Sequence, residues 1–304
     1  MPELPEVQTT VNGLNKKVRG LVIKDVWTDY YKKTALKGKP SIKNKKYFTN
    51  FRKKIRGKKI MEAERFGKNI VMHLFGDFSI LTHMKMTGHY LYGKYKYNKS
   101  KNTWSAKESG HLQDPFNKFA RLVFTLSNDK HLVLSDMRRF AKVILIKTKN
   151  IHLHDDINSL GPNPLSKNFN FADFYKIISS SSGPIKSVLM DQRKISGIGN
   201  IYSDEILWRS NIHPNSSPTK IPKSLFKKMF LSLKKILKHS ISLEGDSMSD
   251  YRTITGEKGG FQNRHKVYRK KGEECLKMRC RGIIERIIVR GRSAHFCNKH
   301  QKMY

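Results

Sequence analysis

Gly161-Pro162-Asn163-Pro164 splits the chain into two halves that read differently. Glycine and proline at this density interrupt helix and strand alike, so the tetrapeptide marks a linker or turn. Before it lie a helix and many short strand-like runs separated by turn signals. After it, apolar residues recur at helical spacing. The pattern predicts an α+β multidomain chain. Its expected boundaries are an N-terminal β-sandwich domain over 1–150, a linker over 151–166, a helical domain over 167–262 and a terminal module over 263–304.

Working back from the tetrapeptide, strands are expected over 142–146, 131–135 and 120–126, the last two joined across Ser127-Asn128-Asp129-Lys130. Asp136-Met137-Arg138-Arg139-Phe140 connects them onward. A second pair, 69–74 and 78–84, turns at Gly76-Asp77, and Met86-Thr87-Gly88 closes it. Lys68 follows Arg65-Phe66-Gly67, and on such a turn it reaches a phosphate or simply faces solvent. Residues 93–109 are polar and low in complexity and read as a mobile loop. Residues 37–59, heavily basic, with Pro40 and Gly57, read as loop and edge strand. Residues 21–29 read as a strand. Val7, Val11, Leu14 and Val18 keep helical spacing, with Gly20 as a C-cap. One helix followed by many short strands is the signature of a sandwich.

That helix begins at Met1-Pro2-Glu3-Leu4-Pro5-Glu6. One reading is structural: proline in the first turn and acids at the positive end of the dipole. The other is chemical. With Met1 removed, Pro2 carries a free secondary amine able to form an iminium with a sugar C1′, and Glu3 and Glu6 stand beside it to move protons.

Working forward, helices are expected over 171–178, 185–191, 202–208 and 222–243. Ser196-Gly197-Ile198-Gly199-Asn200 sits between two of them. Its glycines let backbone N–H groups approach a ligand, and Asn200 precedes a helix whose donors suit an anion. Gly245, Gly256, Gly259 and Gly260 give residues 244–265 the composition of a flexible loop. The tail then runs Cys275-x4-Cys280-x16-Cys297-x2-His300 around a β-hairpin expected from 283. Three thiolates and an imidazole in two close pairs suit one tetrahedral zinc ion. His295 is a rival fourth ligand, but two residues from Cys297 it is expected to point away.

Composition bounds the partner. Lys+Arg 61 against Asp+Glu 24 leaves +37, spread along the whole chain. So large an excess points to a polyanion, with nucleic acid first and an anionic membrane surface second. No run approaches 18 apolar residues, and Glu3 and Glu6 interrupt any signal-peptide core, so an intracellular protein is expected, in nucleus or cytoplasm alike. Three cysteines, all after residue 270, make a poor disulfide framework. A monomer is the default expectation.

Together these pieces resemble the formamidopyrimidine-DNA glycosylase / endonuclease VIII family of base-excision repair enzymes over nearly the whole chain. The matching stretches come in the family's order: PELPEV, RFGK, THMKMTG, DMRRF, LGPNPL, LMDQ…GIGNIY and the cysteine-rich terminal hairpin. The resemblance implies an N-terminal β-sandwich flanked by helices, a helical domain with a helix–two-turn–helix and a lesion loop, and a terminal zinc-finger β-hairpin. It implies catalytic roles for Pro2 as nucleophile on C1′, Glu3 as general acid, Glu6 as support and Lys68 by the phosphates near the lesion. Met86, Arg138 and Phe140 match residues that fill the void left by a flipped base. Lys186, Asn200 and the zinc-finger Arg292 match backbone-binding positions. The metal ligands are Cys275, Cys280, Cys297 and His300, and the partner is damaged DNA.

The implied activity is that of a bifunctional DNA glycosylase and abasic-site lyase. PELPEV and Gly259-Gly260-Phe261-Gln262 favour oxidised purines (8-oxoguanine and formamidopyrimidines), with endonuclease VIII-like action on oxidised pyrimidines as the alternative. Departures are Met84, Lys85 and Met137 inside the motifs, and His300 in place of a fourth cysteine. A non-catalytic damage-binding protein would need neither Pro2 nor Glu3 nor Lys68. A zinc-finger or ribosome-associated RNA-binding protein would account for charge and metal but not for the opening.

Overall fold

The computed structural model describes residues 1–31 and 41–304. They divide into two compact units: Met1–Asn158 with Leu243–Gly260, and Ser159–Ser242 with Phe261–Tyr304.

The first unit opens with α1 (Leu4–Lys17), which buries Leu4, Val7, Val11 and Leu14 on one face. Then come β1 (Ile23–Thr28), α2 (Lys45–Ile55), β2 (Ile60–Phe66), β3 (Asn69–Leu74), β4 (Phe78–His83) and β5 (His89–Gly93). They are followed by β6 (Tyr95–Asn98), β7 (Thr103–Ala106), β8 (Ala120–Leu126), β9 (His131–Ser135), β10 (Lys142–Lys147) and the short α3 (Asp155–Asn158). Two four-stranded sheets result, in the orders β1-β8-β9-β5 and β10-β4-β3-β2, with antiparallel neighbours throughout. Inward-facing Val26, Phe124 and Leu134 of one sheet join Ala63, Met72 and Ile80 of the other in a single cluster, which makes the pair a sandwich. α1 is tied to the sheet edge by Asn15, whose amide donates to the Ala63 carbonyl (2.9 Å) and accepts from the Ala63 N–H (2.7 Å).

Two expectations fail here. Within 37–59, Lys45–Ile55 is a helix rather than loop and edge strand, and residues 37–40 lie outside the described residues. Phe48, Phe51 and Ile55 are buried at helical spacing, and Asn44 caps the start by accepting from the Tyr47 N–H. The many lysines occupy the remaining face and hide that stripe. Likewise 93–109 is not simply a loop. Its strands β6 and β7 pair in register, Tyr97 against Trp104 with rings 5.2 Å apart, and Trp104 lies 4.9 Å from the His131 ring. Aromatic contacts of this kind supply the burial that a polar composition conceals.

The second unit holds α4 (Phe171–Ser179), α5 (Ile185–Met190), α6 (Asn200–Ser210) and α7 (Lys223–Ser242), then the hairpin β11 (Ile284–Val289) and β12 (Arg292–Cys297). Asn170 and Asp173 form a capping box on α4. The turn Arg290-Gly291 has φ of +44° and +75°, the paired positive values of a type I′ hairpin. The expected helices all appear, α6 starting two residues earlier than its apolar spacing indicated. The sequence division assigns 244–262 to the helical region, whereas Leu243–Gly260 clusters with the sandwich. No helix among the described residues is long and apolar enough to cross a membrane.

Candidate functional site

At the start of α1, Pro2, Glu3 and Glu6 are buried while Met1 stays exposed. Glu6 is held from both sides. Its Oε2 accepts the Glu3 N–H at 2.7 Å, and its Oε1 accepts the Asp246 N–H at 2.8 Å. Its carbonyl accepts the Tyr251 hydroxyl at 3.1 Å and the Thr10 hydroxyl at 2.9 Å. Leu243–Gly260 is thus stitched to the helix start rather than left as a flexible loop. Gly245, at φ +85°, is required there, because a Cβ would meet Glu6 Cγ at 3.0 Å. Gly259 packs still closer, where a Cβ would lie 2.3 Å from the Gly245 carbonyl oxygen. Arg252 anchors the same segment. It is 2% exposed, donates to both Asp114 carboxylate oxygens at 3.1 Å, and its guanidinium lies 4.8 Å from the Phe116 ring.

Lys68 sits on the two-residue turn between β2 and β3, with Gly67 supplying a φ of +57°. Arg65 ties that turn to α1, donating to Gln8 Oε1 at 2.9 Å and to the Gly67 carbonyl at 3.1 Å. The pieces carrying Pro2 and Lys68 therefore share one support. Lys68 is itself mostly buried. Near it, burial first and then the charges of Lys85 and Lys68 pull the His83 imidazole down to about 4. Its Nδ1 accepts the Lys85 N–H at 3.0 Å, which a neutral ring allows.

Met86, Arg138 and Phe140 come from two loops joined by one carboxylate. Asp136, fully buried, accepts the Thr87 hydroxyl (2.5 Å) on Oδ1, and the Tyr30 hydroxyl (2.8 Å) and Ala141 N–H (2.8 Å) on Oδ2. The Arg138 N–H closes the circuit on Thr87 Oγ1 at 3.1 Å. Burial, and then Asp136, raises the Tyr30 phenol well above its ordinary value, so it remains a donor. Out of this rigid base project Met86, 41% exposed, and Phe140, 44% exposed, with the Arg138 guanidinium 4.5 Å from the Phe140 ring. Apolar side chains held in solvent cost free energy unless something covers them, and here they stand on a deliberately stiff mount. Asp136 lies inside DMRRF, yet nothing local distinguished it as a hub, since its partners are up to 106 residues away.

In the second unit, Asn200 begins α6 after Gly199, and its side-chain Oδ1 accepts no hydrogen bond among the described residues. Lys186 is fully buried. Its ammonium pairs with Asp204 and approaches the Asn200 carbonyl at 3.5 Å. Asp204 also accepts the N–H (3.0 Å) and Nδ1 (3.1 Å) of His295, which therefore turns away from the cysteines as expected. Arg292 is exposed beside the β11–β12 turn.

Cys275, Cys280, Cys297 and His300 converge, their ligand atoms all within 4.8 Å of one another. Cys280 Sγ lies 3.6 Å from Cys297 Sγ and 3.5 Å from His300 Nδ1, which is 3.4 Å from Cys275 Sγ. A tetrahedral ion with metal–sulfur bonds of about 2.3 Å sets its ligand atoms about 3.5–3.8 Å apart, so the cluster can hold a metal ion. His300 Nε2 donates to the Trp208 carbonyl at 3.1 Å, leaving the Nδ1 lone pair for the metal.

Residues 1–143 match the formamidopyrimidine-DNA glycosylase N-terminal domain, and residues 160–252 match the formamidopyrimidine-DNA glycosylase H2TH domain. A formamidopyrimidine-DNA glycosylase of Streptococcus thermophilus is 32% identical over 99% of this chain and 100% of its own length. That of Bacillus subtilis is 30% identical over 99% of each. Among solved structures, the Lactococcus lactis Fpg in complex with DNA containing an abasic site superposes with a TM-score of 0.79, at 30% identity over 97% of both chains. MutM in complex with DNA containing carbocyclic 8-oxo-G gives 0.79 at 31% identity, over 97% of this chain and 98% of that one.

Proposed function

Because the chain belongs to the formamidopyrimidine-DNA glycosylase family, whose members are DNA glycosylases with abasic-site lyase activity, we propose that it excises oxidised bases from damaged DNA through a Schiff base on Pro2. The observation that carries this reading is the start of α1, where Pro2 is buried beside two buried carboxylates, one of them held by the Glu3 and Asp246 N–H groups. Once Met1 is removed, the Pro2 nitrogen attacks C1′ of the extruded nucleotide and the bond to the base breaks, the base leaving with the electron pair and taking up the proton that the amine gives up. Glu3 gives a proton to the sugar ring oxygen as the ring opens, and the nitrogen and C1′ become an iminium. Loss of a C2′ proton then expels the 3′ phosphate, and a second elimination expels the 5′ phosphate. Glu6 is a positioning residue, fixed by the Glu3 and Asp246 N–H groups.

Extruding a base costs a few kcal/mol, and a side-chain wedge offsets the lost stacking. Met86 and Phe140 take that part, with Arg138 facing the orphaned base. Lys68, Asn200 and Arg292 hold the sugar–phosphate backbone, which positions DNA without reading sequence. Lys186 contributes from behind Asn200, its ammonium committed to Asp204. The three thiolates and His300 hold zinc, which stiffens the finger bearing Arg292 and takes no part in the chemistry. Oxidised purines are the favoured lesions, supported by the likeness to a relative solved with 8-oxo-G DNA.

Borohydride reduction during reaction with an abasic-site duplex tests the nucleophile. A covalent adduct is expected with the processed chain and none with retained Met1. An undiminished adduct in Pro2→Gly would sink Pro2 as the nucleophile. Metal content tests the finger: about one zinc per chain is expected, falling to near zero in Cys280→Ser.

A further inference from the structure

Asp204 and His295 are buried in the second unit, between its two backbone grips. Asn200, at the start of α6, lies one helical turn before Asp204, about 6 Å along the axis. Arg292, at the start of β12, lies three residues before His295, about 10 Å along the strand. Asp204 and His295 are 91 residues apart in sequence, and one carboxylate joins them. Asp204 Oδ2 accepts the His295 N–H at 3.0 Å and its Nδ1–H at 3.1 Å. Oδ1 takes the Lys186 ammonium, which also approaches the Asn200 carbonyl at 3.5 Å. Other ties between this helix and the finger lie elsewhere. Glu205 accepts the N–H groups of Lys266, Val267 and Tyr268, each at 3.0 Å. His300 Nε2 donates to the Trp208 carbonyl at 3.1 Å, and Gln301 Nε2 to the Ile212 carbonyl at 2.8 Å. Those ties hold the approach to the finger and its metal end. Of these contacts, the Asp204 one alone reaches the strand that carries Arg292.

Stability alone does not account for these groups. A buried ion pair adds little over well-packed apolar residues of the same volume, whereas it tolerates fewer arrangements and so fixes register. Nor does His295 serve the metal, because its Nδ1 is committed as a donor to Asp204 and has no lone pair to offer. Phosphates follow one another at a set spacing along a strand. Two grips engage them together only if the distance between the grips is held, and a grip that wanders must be ordered on binding. We infer that Asp204 and His295 are positioning residues for DNA binding. Through one carboxylate they set the distance between Asn200 on α6 and Arg292 on β12, so that the two grips act as a single clamp. The inference rests on the reading of Asn200 and Arg292 as backbone grips.

The test is the affinity of the zinc-loaded, full-length chain for a duplex holding a ring-closed abasic analogue, which has no aldehyde for an amine to attack. Arg292→Ala is expected to bind about tenfold more weakly than wild type. His295→Phe keeps a ring against Tyr268 and all four metal ligands, and is expected to bind about fivefold more weakly. His295→Asn, whose side-chain NH2 stands where Nδ1–H did, is expected to restore wild-type affinity. Adding His295→Phe to Arg292→Ala is expected to cost less than about twofold more, because the positioned grip is already gone. Adding it to Lys68→Ala is expected to cost the full loss. A residue that merely holds the fold would weaken both backgrounds alike. Wild-type affinity in His295→Phe overturns the inference, as does a full further loss on top of Arg292→Ala. Wild-type affinity in Arg292→Ala removes that grip and the inference with it, while borohydride trapping of the wild type reports on the glycosylase reading separately. Should His295→Phe lose zinc, Asp204→Asn repeats the test from the helix, with the same pattern expected at full zinc content. Loss of zinc in both variants overturns the inference, because the pair then serves the metal.

Discussion

The start of α1 and the interior of α6 both bury a carboxylate, and they satisfy it by different means. Glu6 accepts N–H groups from the neutral backbone of Glu3 and Asp246. Asp204 accepts the His295 N–H too, but is also met by the side chains of Lys186 and His295. Backbone N–H donors orient a carboxylate without carrying a full charge of their own. A paired ammonium cancels the charge and leaves a strut. The difference separates a carboxylate oriented by backbone at the head of α1 from one locked in an ion pair within α6.

The largest effect is expected where the contrast is chemical. Pro2→Gly reduces borohydride-trapped adduct by at least about 100-fold, the scale on which a nucleophile acts, while its urea midpoint stays unchanged. Next comes the strut. Asp204→Ala removes the carboxylate that pairs with the buried Lys186 ammonium and costs about 3–5 kcal/mol in urea unfolding. Full stability in that variant would show the pair to be inert. Glu6→Gln is milder, because an amide oxygen still accepts one N–H while its NH2 faces the other. A cost of about 1–3 kcal/mol is expected, together with slower cleavage. An unaltered cleavage rate in Glu6→Gln would remove Glu6 from the catalytic geometry.

The smallest effect concerns pH. His83 is drawn down to about 4 in the folded chain, whereas an unfolded histidine titrates near 6.5. Between these values the unfolded chain binds the extra proton, so this group takes stability away as pH falls from about 6.5 towards 4 and takes none above. His83→Gln should flatten that limb of the stability–pH curve. An unchanged limb would mean that the folded imidazole titrates normally.

Much of the site was legible because its signals are local. Cysteine spacing identified a cluster that the fold closes to within 4.8 Å. The strands β8 and β9 and the hairpin they form across Ser127-Asn128-Asp129-Lys130 appear where the sequence placed them. Other elements were hidden by composition. The stripe Phe48, Phe51, Ile55 was masked by lysines on the opposite face of α2, and Tyr97 and Trp104 by the polar residues around them. Arg252, Asp136 and the bridge from Gln8 through Arg65 to Gly67 went unseen because their partners are distant in sequence.

By itself the sequence determined the strand-rich and helix-rich halves, the α1 stripe, the metal-binding spacing and the excess of +37, since each depends on residue type and near-neighbour period. Only the tertiary structure decided that Asp246 meets Glu6 across 240 residues, that Asp136 joins two loops and that the Lys186 ammonium is spent inside the protein. Those outcomes depend on which buried polar groups find partners when the chain closes, and local periodicity carries no record of that search.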